Sequence, residues 1–254
     1  MQRKPHFQIV PLEAEIVPFF RGNRMDFSAF DRRKYPTVAP RVGYSEWAAT
    51  YEASVPDLLD ISILEQIRSV EWSDTRECLD LACGTGRTGS WLHRKGVSSI
   101  DGVDLTPEML AQAETKKIYR LLHEGSVEDT SLADAKYDLL VMSLVDEHLE
   151  RLQPAYREAG RLSARDGRFV VVGMHPFIFM SGMPTHFNDN RGQPKAIETY
   201  VHLFSNHFAA AKAAGWRLQE AIEELVDDRW VQAKPKWGHL RGFPVNYGYV
   251  WSRA

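Results

Sequence analysis

The sequence contains few cysteines and no long apolar run. Only Cys78 and Cys83 occur among the 254 residues, which excludes a disulfide framework and a cysteine-based zinc site. No stretch of about 18 apolar residues exists, and the residues after Met1 are mixed in character instead of forming an apolar signal core. We therefore predict a cytoplasmic protein without membrane insertion.

An excess of charge of one sign is also missing. The net charge is −3 at pH 7, from 31 Lys and Arg residues against 34 Asp and Glu residues. A surface of this kind has no general attraction for a phosphate backbone, so no nucleic-acid partner is expected. No metal site is predicted either, because the histidines of the last third lack acidic or cysteine companions at ligand spacing. We expect a monomer or a homodimer.

Proline and apolar spacing divide the chain into an extension and a domain. Residues 1–42 contain five prolines and are predicted to be an N-terminal extension with little regular structure. Residues 43–254 form the predicted domain. Apolar residues at helical spacing from Tyr44 to Ser69, interrupted by Pro56, predict two helices ahead of the first strand.

Short apolar runs then alternate with helical segments. The predicted strands are Glu77–Cys83, Ser99–Leu105, Tyr119–Leu122, Tyr137–Leu144 and Arg168–Met174, followed later by Trp216–Val226 and Gly242–Ser252. This alternation predicts an α/β fold with a doubly wound, mostly parallel sheet. Residues 175–199, rich in proline, glycine and aromatic residues, are predicted to be a lid-like insertion, and a helix is predicted from about Ala196 to Ala214, ended by Gly215.

A glycine-rich turn is the most informative segment. It lies in Leu79-Asp-Leu-Ala-Cys-Gly-Thr-Gly-Arg-Thr-Gly-Ser-Trp-Leu, which runs from a predicted strand into a predicted helix. Glycines let the backbone approach a ligand, and a helix N-terminus favours an anionic group. Such a turn alone is also compatible with a tight strand-to-helix connection. Asp104 favours the ligand site, because it ends the next strand, where a carboxylate can accept hydrogen bonds from two ribose hydroxyls.

The same glycines also satisfy the dinucleotide-binding pattern. Gly84-Thr-Gly-Arg-Thr-Gly reads G-x-G-x-x-G, and Asp104 follows Gly84 by 20 residues. Two features argue against a pyrophosphate. Asp80, just ahead of the glycines, would repel it and suits a ligand ammonium group, and Met109, in the helix after Asp104, can lie against a purine ring.

Four segments together resemble the motifs of class I S-adenosylmethionine-dependent methyltransferases. They are Leu79-Asp-Leu-Ala-Cys-Gly-Thr-Gly-Arg, Gly102-Val-Asp-Leu-Thr-Pro-Glu-Met-Leu, Gly125-Ser-Val-Glu-Asp and Tyr137-Asp-Leu-Leu-Val-Met-Ser-Leu-Val-Asp-Glu-His-Leu. The resemblance extends from about Tyr44 to the C-terminus. It implies a seven-stranded sheet of order 3-2-1-4-5-7-6 with the last strand antiparallel, in a three-layer α/β/α sandwich. The implied cofactor is S-adenosyl-L-methionine, and its product is S-adenosyl-L-homocysteine.

The resemblance also implies roles for individual residues. The methionine moiety would contact Asp80 and the backbone of Ala82, Gly84 and Gly86, and the ribose would contact Asp104. Further cofactor contacts are implied for Leu105 and Met109 on adenine, for Val127 and Glu128 at its edge, for Ser143 and Leu144 near the sulfonium, and for Tyr44 and Tyr51 over the methionyl carboxylate. Two positions depart from the family pattern. Ala82 replaces a glycine, and Ser126 replaces a frequent aspartate, which would weaken the adenine contact or shift it to Glu128.

Methyl transfer needs alignment in a dry pocket more than it needs acid–base chemistry. A base helps where the nucleophile carries a proton. The candidates for this base, which lie at the carboxyl ends of predicted strands, are Asp146, Glu147, His148 and His175. We predict that His175 faces the methyl acceptor. His148 is the second catalytic candidate, although the matching family position often only packs beside the cofactor.

The sequence therefore predicts methyl transfer to a small aromatic or amphipathic metabolite. A non-catalytic or regulatory protein that binds the cofactor without turnover is the alternative from another class. A nicotinamide-dependent oxidoreductase is the third hypothesis, because the glycine pattern fits it. The identity of the acceptor atom, oxygen, nitrogen, carbon or sulfur, does not follow from the sequence.

Overall fold

The computed structural model describes residues 25–253 of the chain. Its first part contains short strands and helices that precede the main sheet. These elements are β1 (Met25–Asp26), β2 (Thr37–Val38), α1 (Pro40–Trp47), α2 (Tyr51–Ser54) and α3 (Ile61–Leu64). The domain boundary that we predicted at residue 43 falls inside α1, and residues 1–24 of the predicted extension lie outside the described residues.

The middle of the chain alternates strands and helices, as the apolar runs predicted. Its elements are β3 (Cys78–Leu81), α4 (Arg87–Arg94), β4 (Ile100–Asp104), α5 (Pro107–Thr115), β5 (Tyr119–Glu124), β6 (Tyr137–Ser143), α6 (Leu152–Leu162) and β7 (Ser163–Met174). The last third contains α7 (Pro176–Met180), β8 (His186–Asn188), β9 (Pro194–Ile197), β10 (Tyr200–Val201), α8 (Phe204–Ala213), β11 (Trp216–Leu225), α9 (Asp228–Ala233) and β12 (Pro244–Arg253).

Seven of these strands form one sheet in the order β11-β12-β7-β6-β3-β4-β5. Strand β12 is antiparallel to both of its neighbours, and the β3–β4, β3–β6, β4–β5 and β6–β7 pairs are parallel. When these seven strands are numbered 1 to 7 along the chain, the order read from β5 to β11 is 3-2-1-4-5-7-6. Strand 7, which is β12, is the antiparallel one. This confirms the predicted fold. No helix within residues 25–253 has the length and apolar character needed to cross a bilayer.

The core lies on both faces of the sheet, because successive side chains of a strand point to opposite faces. On β6, Leu140 and Met142 pack with α6 and α8 on one face, whereas Leu139 and Val141 pack with Trp91 on the other. Two covered faces explain why these strands are almost continuously apolar. The carboxyl ends of β3, β4 and β6 therefore meet at one edge of a rigid sheet.

One predicted helix was wrong in its first half. Residues 196–203 do not continue helix α8, because Ala196 and Ile197 belong to β9, and Tyr200 and Val201 form β10. Strand β9 pairs with β2 and β8, and β10 pairs with β1, so pairing with the segment before α1 overrides the local helical pattern. The predicted end was right, since Gly215 follows α8 with φ +77°.

Candidate cofactor and acceptor site

The turn between β3 and α4 adopts left-handed backbone conformations at three positions. Ala82, Gly84 and Gly86 have φ values of +57°, +53° and +84°. At Gly84 no described atom lies within 4 Å of the place where a Cβ would be. The backbone of the turn is therefore open to close approach by a ligand, and Ala82 and Gly84 line a cavity of about 180 Å³.

Asp104 ends β4 and lines the same cavity, beside the glycine turn. Its Oδ2 accepts a hydrogen bond of 2.8 Å from the Gly84 N–H, and its Oδ1 accepts one of 2.8 Å from the Thr106 N–H. Burial raises the pKa of Asp104, and these backbone hydrogen bonds oppose the rise. Since each carboxylate oxygen can accept more than one hydrogen bond, the carboxylate stays able to accept two hydroxyl donors from a ligand.

The rest of the 180 Å³ cavity is mainly apolar. Side chains that suit the face and edge of a heteroaromatic ring are Leu105, Met109, Val127, Glu128, Leu144 and Leu149. Tyr44 and Tyr51 close one side. These features together match a nucleoside with a polar extension. The apolar pocket suits the base, the two acceptor oxygens of Asp104 suit the sugar hydroxyls, and the open glycine backbone suits the polar extension.

A second cavity of about 320 Å³ adjoins the first and has Tyr44, Tyr51 and Leu144 in common with it. Its walls are largely aromatic and apolar, with Trp47, Val55, Leu59, Met174, Met183, Phe187 and Trp237. Leu144 holds a φ of +56°, which is strained for a branched side chain, and its N–H donates a 2.8 Å hydrogen bond to the Val172 carbonyl. Leu144 lies where the two cavities meet, and this hydrogen bond holds its backbone there.

The comparisons with known proteins agree with this geometry. A family model described as a methyltransferase domain matches residues 79–171. The chain is 23% identical over 173 residues to the uncharacterized methyltransferase YcgJ of Bacillus subtilis, which covers 65% of this chain and 68% of that protein. It is 28% identical over 204 residues to the malonyl-[acyl-carrier protein] O-methyltransferase of Geobacter sulfurreducens, with coverages of 76% and 74%.

A solved structure of an S-adenosylmethionine-dependent methyltransferase from Mesorhizobium loti superposes with a TM-score of 0.60 at 19% identity, covering 76% of this chain and 96% of the other. Residues 79–171 thus match a methyltransferase domain, and the strand order of the sheet is that of the class I S-adenosylmethionine-dependent methyltransferases. The matches support S-adenosylmethionine as the cofactor.

Three residues that we predicted to contact the cofactor do not line the 180 Å³ cavity. They are Asp80, Gly86 and Ser143. The Tyr119 hydroxyl donates a 2.7 Å hydrogen bond to Asp80 Oδ2, and burial raises the pKa of Asp80 to about 7. Within the described chain, Asp80 Oδ1 and Ser143 Oγ have no hydrogen-bond partner. Their contacts with the cofactor stay predictions.

His148 lines the 180 Å³ cavity, and both of its ring nitrogens are engaged. Nδ1 lies 2.7 Å from the Glu198 carbonyl oxygen, which can only accept, so Nδ1 carries the proton. Nε2 then accepts the 2.8 Å hydrogen bond from the Tyr44 hydroxyl. Burial lowers the pKa of His148 to about 4. The histidine is neutral and positions Tyr44, which disfavours its predicted role as the base.

His175 is the clearest departure from the sequence prediction. It lines neither of the two cavities. Its Nδ1 accepts a 3.1 Å hydrogen bond from the Phe177 N–H at the start of α7, its Nε2 lies 3.0 Å from Glu223 Oε1, and its ring packs against Phe204. His175 does follow the end of β7, but its contacts are with α7, Glu223 and Phe204. This geometry does not support a position facing the acceptor, and the catalytic role of His175 stays a prediction.

We expect His175→Ala to change turnover by less than about threefold, because the lost contacts are those of a helix cap and a partly exposed hydrogen bond to Glu223. Steady-state kinetics, with thermal unfolding as a check on folding, measure this. A loss of about 10²-fold at unchanged stability would restore the catalytic role that the sequence predicted.

Sequence reasoning missed the part of the acceptor cavity that comes from the segment after β11. Lys234 and Trp237 line this cavity, although no functional role was predicted for them. Two tryptophans, Trp230 and Trp237, occur close together there, and their rings stack with centroids 5.2 Å apart. The presence of two tryptophans between β11 and β12 was the feature of the sequence that could have indicated this part of the site.

Ala82 gives a direct test of backbone strain in the glycine turn. An alanine at φ +57° pays about 1–2 kcal/mol relative to an ordinary conformation, whereas glycine does not. We expect Ala82→Gly to raise the free energy of unfolding by up to about 1 kcal/mol, since glycine also gains entropy in the unfolded chain. Urea unfolding measures it, and Ala53→Gly on exposed α2 should lower the same quantity by about 1 kcal/mol. Equal losses in both variants would contradict the strain at Ala82.

Proposed function

We propose that this methyltransferase transfers a methyl group from S-adenosylmethionine to a small aromatic or amphipathic metabolite. The observation that carries the proposal is the pair of adjoining cavities that share Tyr44, Tyr51 and Leu144. One cavity has the glycine turn and Asp104, and the other has aromatic walls. Their common wall is where a donor and an acceptor would meet.

The cofactor supplies a methyl group that its sulfonium has already activated. The protein would bind it through the backbone of Ala82 and Gly84 and through Asp104, with Leu105 and Met109 beside the adenine. Leu144 and the Tyr44–His148 pair would fix the boundary between the cavities. The contribution of these residues is alignment and exclusion of water, which together account for much of the rate in an in-line displacement.

The acceptor would lie in the 320 Å³ cavity. Trp47 and Phe187 stack there with ring centroids 5.5 Å apart and nearly parallel planes. Phe187 and Met183 come from residues 175–199, the segment that we predicted to be a lid-like insertion. Aromatic side chains in the cavity wall favour a flat acceptor, and the segment between α7 and β9 would cover it.

Isothermal titration calorimetry with S-adenosylmethionine, S-adenosylhomocysteine and NADH tests the first half of the proposal. We expect both sulfur compounds to bind and NADH not to bind. Binding of NADH alone would favour the oxidoreductase hypothesis. Turnover is then tested by mass spectrometry of candidate aromatic acceptors, and cofactor binding with no methylated product across flat and amphipathic acceptors would favour the non-catalytic alternative.

A further inference from the structure

Glu147 is a buried carboxyl group in the wall of the acceptor cavity. It lies in the 3-10 helical turn Asp146–His148 that comes after β6, and only 2% of the residue is exposed. Its Oε1 accepts a 3.2 Å hydrogen bond from the Thr185 hydroxyl, whereas Oε2 has no partner among the described residues. Buried carboxyl oxygens are nearly always hydrogen-bonded. The missing partner points to a donor that arrives with a ligand.

Lys234 is a cationic side chain in the wall of the same cavity. Its residue is only partly exposed, and its Nζ lies 5.2 Å from the centroid of the Trp237 ring. No carboxylate of residues 25–253 lies within ion-pair distance of it; the ion pairs of neighbouring residues involve Arg229 and Arg241 instead. A half-buried ammonium group without an anionic partner is suited to bind an anionic group of a ligand.

The cavity thus offers two polar contacts of different kinds in an aromatic enclosure. One is a carboxyl oxygen that lacks a donor, and the other is an ammonium group that lacks an anion. The flat walls formed by Trp47, Phe187 and Trp237 lie around them. A ligand that satisfies all three features has a planar ring, a hydroxyl group and a carboxylate.

We infer that the acceptor is an aromatic hydroxy acid whose carboxylate binds Lys234 and whose hydroxyl proton is taken by Glu147. This inference rests on the proposed function and adds the class of the acceptor and the catalytic base. As the hydroxyl oxygen forms its bond to the methyl carbon, the carbon–sulfur bond breaks and its electron pair stays on sulfur. The hydroxyl proton passes to Glu147 Oε2. The products are the methyl ether, the thioether cofactor and a protonated Glu147.

The surroundings of Glu147 tune it for this step. Burial, and then the negative charge of Asp146, raise the pKa of Glu147 to about 8. The other titratable groups near it are His148, whose Nε2 lies 3.8 Å from Glu147 Oε1, and the hydroxyls of Tyr44 and Tyr51. Burial lowers the pKa of Lys234. A base must be ionised and an anion-binding lysine must be protonated, so kcat/KM should rise with pH up to about 8 and fall where Lys234 loses its proton.

The binding test uses protein saturated with S-adenosylhomocysteine and titrated with 2-, 3- and 4-hydroxybenzoate, 4-hydroxyphenylacetate and 4-hydroxycinnamate, each beside the matching phenol without the carboxylate. We expect at least one acid to bind about tenfold or more tightly than its phenol. In Lys234→Met that advantage should fall below twofold, while Lys236→Met, an exposed control two residues away, should keep it. If no acid binds better than its phenol, or if Lys234→Met keeps the advantage, the anion role is overturned.

The kinetic test uses the acid that binds best and follows its methyl ether by mass spectrometry. We expect Glu147→Gln to lower kcat by about 10²–10⁴-fold, to lose the rise of kcat/KM toward pH 8 and to leave the affinity for S-adenosylhomocysteine within twofold of wild type. Glu114→Gln on exposed α5 is the matched control. Retention of rate and of the pH-dependent rise would overturn the base role.

Two further measurements show which part of the argument is wrong if these tests fail. Should Glu147→Gln not fold, a wild-type kcat/KM that stays flat between pH 6 and 9 overturns the base role by itself. Failure of wild-type protein to bind S-adenosylhomocysteine would refute the proposed function, whereas tight binding of it without any preference for the acids refutes only this inference.

Discussion

Replacing Asp104 with alanine should weaken the binding of S-adenosylmethionine by about 1–3 kcal/mol, or roughly 5- to 150-fold. The carboxylate forms one side of the cofactor cavity, and both of its oxygens already accept a backbone hydrogen bond of 2.8 Å, one from Gly84 and one from Thr106. In the proposed complex, removing it would leave the ribose hydroxyls without acceptors. It also frees the Gly84 N–H, so the glycine turn loses part of its support.

Isothermal titration calorimetry with S-adenosylmethionine and S-adenosylhomocysteine measures the change in affinity for Asp104→Ala, and circular dichroism checks that the variant is folded. Asp166→Ala is the control, because Asp166 is exposed in β7 and lines neither cavity. Its affinity should match that of wild type. An unchanged dissociation constant in folded Asp104→Ala would place the ribose elsewhere.

The sheet could be predicted from the sequence because its signals are local. Each parallel strand is a short apolar run, and residues such as Leu139 and Leu140 are both buried because helices cover both faces. Strands β9 and β10 could not be predicted in this way. Thr37 of β2 pairs with Ala196 of β9, and Met25 of β1 pairs with Val201 of β10, so these partners lie far apart in the chain. Long-range pairing of short segments leaves no periodic pattern to detect.

In the candidate site, too, some residues could be predicted from the order of strands and turns, whereas others could not. Asp104 and Gly84 were predictable because the topology places strand ends and the following turns at one edge. The direction of a side chain beyond a strand end was not predictable. His175 and Glu147 both follow strands, yet α7 directs His175 toward Glu223, whereas Glu147 lies in the cavity wall. Lys234 also lines the cavity, but it follows helix α9 and does not lie at the end of a strand.

Gly89 lies in α4, just after the glycine turn, and packs against the ring of Tyr119. Among the glycines of this segment, we expect it to tolerate a side chain least. A Cβ at Gly89 would overlap the Tyr119 hydroxyl and lie 2.5 Å from its Cζ. The ring cannot move away easily. A Cβ at Gly86 or at Gly102 would also lie only 3.0 Å from it, and its hydroxyl is hydrogen-bonded to the buried Asp80. The helix α4 must therefore shift if Gly89 gains a side chain.

We expect Gly89→Ala to lower the free energy of unfolding by about 1–3 kcal/mol, the usual cost of overpacking a core, although alanine favours a helix. Because α4 continues from the glycine turn, its displacement should also weaken binding of S-adenosylhomocysteine. Urea unfolding and calorimetry measure the two effects. Gly238→Ala is the control, since a Cβ there would meet only Val231, at 3.8 Å, and its free energy of unfolding should change by less than about 0.5 kcal/mol.

A double variant decides whether the contact with Tyr119 is the cause. If the clash dominates, Gly89→Ala combined with Tyr119→Leu should lose clearly less stability than the sum of the two single variants, because the smaller side chain leaves room for the new methyl group. Additive losses, or a Gly89→Ala variant as stable as wild type, would show that α4 accommodates the methyl group without shifting. Close packing of α4 against Tyr119 would then not be the reason for glycine at this position.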